Sequence, residues 1–199
     1  MADERHSIQT YVSDMLSLER HVAAPFATQA QDDEFRYGAA ASLVQRVKSL
    51  SDGHVQALEE CLERLGGHAA SPSKEAVAQV AGMVAGAIDK MRKTKVSKAL
   101  RDDYTALALC TAGYTMLQTT ALALSNEEVA DLAQRHLEDY ARCVMEIGEA
   151  LPEIVVEELR DIGLSVDPSM AEPARRAAEE AWRAGAQSSR YTTGMSRAS

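Results

Sequence analysis

Apolar residues recur along this chain at alternating steps of three and four, the spacing that gathers them on one stripe of a helix. The first such segment, about Ser7 to Gln29, carries Ile8, Val12, Met15, Glu19, Val22 and Phe26, with Pro25 predicting a bend near its end. The second, about Glu34 to Leu65, carries Val44, Val47, Ser51, His54, Leu58, Cys61 and Leu65 and stops at Gly66-Gly67, a helix terminator. A shorter helix is predicted over Lys74 to Met91, opened by Ser71-Pro72-Ser73 and packed by Gly82 and Gly86. The third long segment, about Ser97 to Leu124, carries Leu100, Asp103, Leu107, Cys110, Tyr114, Leu117, Ala121 and Leu124. Ser125-Asn126-Glu127-Glu128 caps the fourth, which carries Val129, Leu132, His136, Asp139, Cys143 and Ile147 and is expected to end or kink near Pro152.

This pattern predicts an all-α fold of four main helices with additions. Three parts follow: a bundle over 1–152, a helical extension over 153–184 with the only tryptophan, Trp182, and a Ser/Thr/Gly-rich flexible tail over 185–199. Composition agrees. Hydrophobic residues make up 46% of the 199 residues but aromatics only 5%, and alanine is roughly a sixth, which favours closely packed helices over sheets.

Charge and cysteine usage narrow the function classes. A net charge of -9 argues against a nucleic-acid partner, which needs a clustered basic surface. The one dense basic stretch, Lys90 to Lys98, reads as a solvated connector. No run approaches the ~18 apolar residues of a membrane span, and Met1 to Thr10, with Asp3, Glu4, Arg5 and His6, does not read as a signal peptide. Cys61, Cys110 and Cys143 are too few and too scattered for a disulfide framework and suit a reducing cytoplasm. There is no CxxC, no Gly-rich phosphate loop and no GxSxG elbow.

The chemistry lies in the polar residues that interrupt the buried stripes: Glu19, His54, Asp103, His136 and Asp139, with Ser51 one turn before His54. Buried charge is costly unless paired or metal-bound. Carboxylates and imidazoles projecting inward from facing helices are how bundles build iron or manganese sites. His136 and Asp139 keep an i, i+3 spacing that puts them on one side of a helix. The alternative for each is structural: Glu19 pairing with a histidine, His54 as a hydrogen-bonded core residue, Asp103 as an ordinary helix-start acid beside Asp102. The three cysteines on the stripes read as small packing residues.

Several phrases, in order, resemble the bacterial ferritin-like proteins of the YciF/YciE type. They are Ser17-Leu18-Glu19-Arg20, Gly53 to Glu59 running on to Leu65-Gly66-Gly67, Glu75-Ala76-Val77 to Gly82-Met83, Leu100-Arg101-Asp102 with Ala112-Gly113-Tyr114, and Leu137-Glu138-Asp139. The resemblance covers about Ser7 to Leu151. It implies a ferritin-like up-down-up-down four-helix bundle, commonly dimeric, with a carboxylate-rich two-metal centre and a stress or storage setting. Glu19 takes the place of the first-helix glutamate, Asp139 that of the fourth, and His54 the second-helix position. The chain departs from the family where it matters: the acid expected a turn before His54 falls on Leu50 or Ser51, and the third-helix acids fall on Leu107 and Cys110.

Two functions are therefore expected to compete. One is a stress-related ferritin-like protein binding iron, or zinc or manganese, through Glu19, His54, His136 and Asp139, with Asp103 as a substitute ligand and any enzymatic activity left open. The other is a bundle without metal, serving as an assembly or interaction module, or as encapsulated cargo, through its C-terminal extension. A homodimer or higher homo-oligomer is expected in either case.

Overall fold

The computed structural model describes the backbone of residues 2–35, 38–67 and 95–195, with side chains between 3 and 187 in those ranges. The predicted short helix Lys74–Met91, its Ser71-Pro72-Ser73 start, the stretch Glu75 to Met83 and most of the basic run Lys90–Lys98 lie outside the described residues. Every regular element among the described residues is helical: α1 (Ala2–Gln29), α2 (Gly38–Arg64), α3 (Val96–Ala123), α4 (Glu127–Asp161) and α5 (Ala171–Met195), with 3-10 turns at Asp33–Phe35 and Pro168–Met170. Residues Met1–Ile147 make one compact unit and Gly148–Ser199 a second, the boundary falling inside α4.

The ends of these helices follow from local chemistry. At the end of α2, Gly66 takes a φ of +76° that a side chain would resist. Gly66 N–H donates to Glu63 O (2.8 Å) and Gly67 N–H to Leu62 O (2.9 Å), a Schellman closure. Asn126 caps α4, its Oδ1 accepting from Val129 N–H at 3.1 Å. Pro25 and Pro152 lie within α1 and α4 and end neither. A proline costs a helix interior about 3 kcal/mol, and neighbouring buried side chains, Phe26 in α1 and Ile154 in α4, offset part of that cost.

Hydrogen bonds between helices fix the directions in the first unit. Arg5 Nε and Gln9 Nε2 donate to Leu65 O (2.7 and 2.6 Å), and Gln45 Nε2 to Ala30 O (3.3 Å), so α1 and α2 are antiparallel. Glu19 bonds to Tyr114 and Gln29 to Asp103, so α1 and α3 are antiparallel too. Arg64–Glu128 (2.7 Å) and Arg46–Glu146 (2.9 Å) run α4 against α2, and Gln118–Gln134 runs it against α3. The helical bundle is as expected, but its order is up, down, down, up and not up-down-up-down. α2 and α3 point the same way, so residues 65–95 must return the length of a helix about 40 Å long. A chain of that length can span it, whereas an antiparallel neighbour needs only a few residues.

The core is the set of stripes read from the sequence: Val12, Met15, Val22, Phe26, Val44, Val47, Leu58, Leu100, Leu107, Leu117, Leu132 and Ile147 are all buried. Small residues set how closely the helices approach. A Cβ at Gly113 would lie 2.6 Å from Met15 Sδ, so α1 crosses α3 where there is no side chain. Gly113→Leu is expected to lose about 1–3 kcal/mol of stability through overpacking, read as a lower urea midpoint at unchanged slope. A gain, from helix propensity alone, would show that the contact is slack.

In the second unit, α4 closes at Gly163 (φ +82°) with Leu164 N–H donating to Leu159 O at 3.1 Å. The segment expected as a flexible tail from residue 185 is helical as far as Met195. Glu172 and Glu179 pair with Arg175, Arg176 and Arg183 at i, i+3 and i, i+4 spacings, which supports a surface helix of this length. Ile162, Leu164, Met170 and Trp182 are each more than half exposed.

Candidate metal site in the bundle core

Glu19 sits midway along α1, one turn from Met15 and Val22 on the buried stripe, and is fully buried. Such a carboxylate must be met by donors, and each neighbouring helix supplies one. Tyr114 of α3 donates its hydroxyl to Glu19 Oε1, and Tyr140 of α4 donates to Oε2. His54 Nδ1 of α2 lies 3.1 Å from Oε1. Behind these stand further groups. Ser51 Oγ lies 2.8 Å from Tyr140 Oη, and His136 Nδ1 lies 3.0 Å from Tyr114 Oη. Each tyrosine spends its only proton on Glu19, so Ser51 and His136 are the donors in those contacts.

That assignment fixes the state of His136. Its Nδ1 carries the proton and its Nε2 keeps a lone pair. Burial chiefly, with His54 and Arg135 adding to it, holds its pKa down to about 3, so the ring is neutral. The His54 and His136 rings stack with centroids 3.8 Å apart and planes 14° apart. Burial and then the Glu19 charge push both tyrosine hydroxyls far above the usual phenol range. The same two causes raise the Cys110 thiol, and burial pushes Cys143 up to about 11. Buried thiols held protonated are packing residues, not soft metal ligands.

Three of the five residues singled out in the sequence meet here. Glu19, His54 and His136 each offer one ligand atom, and these atoms lie within 4.8 Å of one another. Asp139 stands at the rim, half-buried, its Oδ2 3.3 Å from His54 Nε2. Three residues of helix leave it rotated by about 60° from His136, toward solvent. Asp103 is not brought to the group. It is buried at the level of Gln29, ten residues or about 15 Å along α1 from Glu19, and accepts from Gln29 Nε2 at 2.9 Å. Asp103 Oδ2 and Gln29 Oε1 are buried with no partner. Burial first, with Asp102 adding and the Gln29 hydrogen bond opposing, raises the Asp103 pKa to about 7.

The sequence reading passed over Tyr140 and Gln29 and took Tyr114 for packing alone. A signal was present for one of them: Tyr140 follows His136 by four residues, on the same face.

A family model described as a domain of unknown function, DUF892, matches residues 11–160. The chain belongs to the DUF892 family. This family is a member of the ferritin-like superfamily. A crystal structure of a protein from Xanthomonas campestris pv. campestris has a similar fold, with a TM-score of 0.64 at 19% identity over 81% of this chain and 99% of that one. No curated protein matches this DUF892 chain.

The donor set can be set against the two-metal centre that the ferritin-like resemblance implies. Where that centre needs acids on α3, this DUF892 chain buries Leu107 and Cys110, and Ser51 is engaged with Tyr140. Two ions do not fit. One ion does fit the donor chemistry, because two imidazoles and one carboxylate are a set that holds iron(II), zinc or manganese.

Proposed function

We propose that this DUF892 protein binds a single divalent transition-metal ion, iron or alternatively zinc or manganese, through Glu19, His54 and His136. The observation that carries the reading is the meeting of those three ligand-type side chains, from three helices, in the bundle interior. The chain's own residues would prepare the site. Tyr114 holds His136 in the tautomer that offers Nε2, and Tyr114 and Tyr140 together orient Glu19. Asp139, at the rim beside His54 Nε2, is the fourth oxygen within reach. An ion bound there would supply Lewis acidity or, as iron, one-electron chemistry. On the YciF/YciE likeness we take the setting to be a bacterial stress response in the cytoplasm.

A second reading is favoured by a different observation. Both Glu19 oxygens already accept hydrogen bonds, from Tyr114, Tyr140 and His54, so the network is satisfied without an ion. The protein would then be an assembly module, and the exposed Trp182 of α5 would be its contact residue. Elemental analysis of protein purified without a metal-affinity tag separates the two. The metal reading expects about one atom per chain and a higher unfolding temperature on adding iron(II), zinc or manganese. Less than about a tenth of an atom, with no thermal shift, leaves the assembly reading.

A further inference from the structure

From Tyr104 to Asn126 the chain carries no charged side chain, although 26% of its residues are charged. The inward half of α3 explains part of this run, but its outward half is uncharged too. Thr105, Leu109, Ala112, Met116, Thr119 and Ala123 are exposed, with Leu109 at 51% and Met116 at 57%. These positions recur at steps of four and three, so they form one straight stripe along α3. The outward faces of the other bundle helices are charged, by Asp14 on α1, Asp52 and Glu60 on α2, and Asp131, Arg135, Glu138 and Arg142 on α4. A solvent-facing stripe with no charge marks a contact surface.

The order of residues along the stripe points to what covers it. Thr105, Leu109, Ala112, Met116 and Thr119 read nearly the same in either direction, with two long apolar side chains flanking a small central one. A twofold axis near Ala112 would set Leu109 of one copy against Met116 of the other, and Thr105 against Thr119 or Thr120. Self-complementarity of this kind is what an isologous interface requires, residue i meeting j and j meeting i. Ala112 at the axis lets the two helix backbones approach. Charge argues the same way. Each copy carries a net charge of -9, so two copies can pack without desolvating like charges only where neither presents any. We propose that this face of α3 receives a second copy of the chain, packed antiparallel across that axis.

Sedimentation of the full-length protein tests this. The wild type is expected to be a dimer at micromolar concentration. Leu109→Glu and Met116→Lys are each expected to weaken self-association by about 100-fold or more, by burying an unpaired charge. The double variant L109E/M116K is expected to regain the dimer, because each new glutamate then faces a new lysine across the axis. Ala112→Arg, which sets two like charges together at the axis, is expected to be monomeric. All four positions are exposed, and unchanged helical circular dichroism would confirm that the variants fold. A monomeric wild type would overturn the proposal, as α5 or another segment of the chain would then be the cover. Single variants that remain dimeric would overturn it too, and a double variant that stays monomeric would overturn the antiparallel register.

Discussion

Glu19→Ala is expected to lower the unfolding temperature by about 10 °C, the equivalent of about 3–5 kcal/mol for a chain of this size. Three terms add. The hydroxyls of Tyr114 and Tyr140 lose their acceptor in the core, at about 1–3 kcal/mol for each unsatisfied group. His54 loses its partner at Nδ1. The missing side chain leaves a cavity among Tyr114, Tyr140 and His54 that the stacked histidine rings cannot fill without moving. Glu19→Gln keeps the volume and one acceptor oxygen, so its loss should be smaller, about 1–2 kcal/mol. Both changes remove the negative ligand and should reduce metal content together, by about tenfold or more. Calorimetry and elemental analysis on the same samples check the pair. Glu19→Ala that is as stable as the wild type, with unchanged metal content, would show that the network neither supports the fold nor binds an ion.

The second large effect concerns Asp103 and pH. An unfolded aspartate titrates near 3.9, whereas Asp103 in the fold titrates at about 7. Between these values the folded chain holds a proton that the unfolded chain has released. Its contribution to stability is therefore complete below about pH 4 and lost as the pH rises to about 7, a span of about 4 kcal/mol at most. His136 acts in the opposite sense. Its pKa is held down to about 3, so below the usual histidine range the unfolded chain binds a proton that the folded one refuses. The two trends oppose each other between about pH 4 and 6.5, and the difference between wild type and Asp103→Asn isolates the aspartate. Asparagine carries no charge, and its amide has a donor for the unpartnered Gln29 Oε1. Asp103→Asn should match the wild type near pH 4 and exceed it by about 2–4 kcal/mol near pH 8, in urea unfolding at each pH. An advantage that does not grow with pH would mean Asp103 is ionised throughout, as an ordinary surface acid is.

Much of the site was legible before any coordinates. Glu19, His54 and His136 interrupt three buried stripes, and each was expected to point inward because a helix puts positions three and four apart on one side. The same rule misplaced Asp139. A spacing of three leaves about 60° between two side chains, enough to carry the second out to the rim, where it touches only His54. Asp103 was on a stripe and is buried as expected, yet it meets Gln29, because depth along the bundle axis depends on how far α3 slides against α1. Tyr140 escaped notice because an aromatic on a buried face is ordinarily packing. Its role depends on its hydroxyl ending beside a carboxylate 121 positions away.

The sequence by itself determined the helices and their buried faces. Periodicity, the Gly66 and Gly163 stops and the Asn126 cap are local, set by backbone geometry within a few residues. Which helix lies parallel to which, and which buried polar groups meet at one level, only the tertiary structure decided. The parallel pairing of α2 and α3 arises from a long return of the chain, and the Glu19 cluster arises from the register of four helices at once. Both come from contacts between residues distant in sequence, where no spacing rule applies.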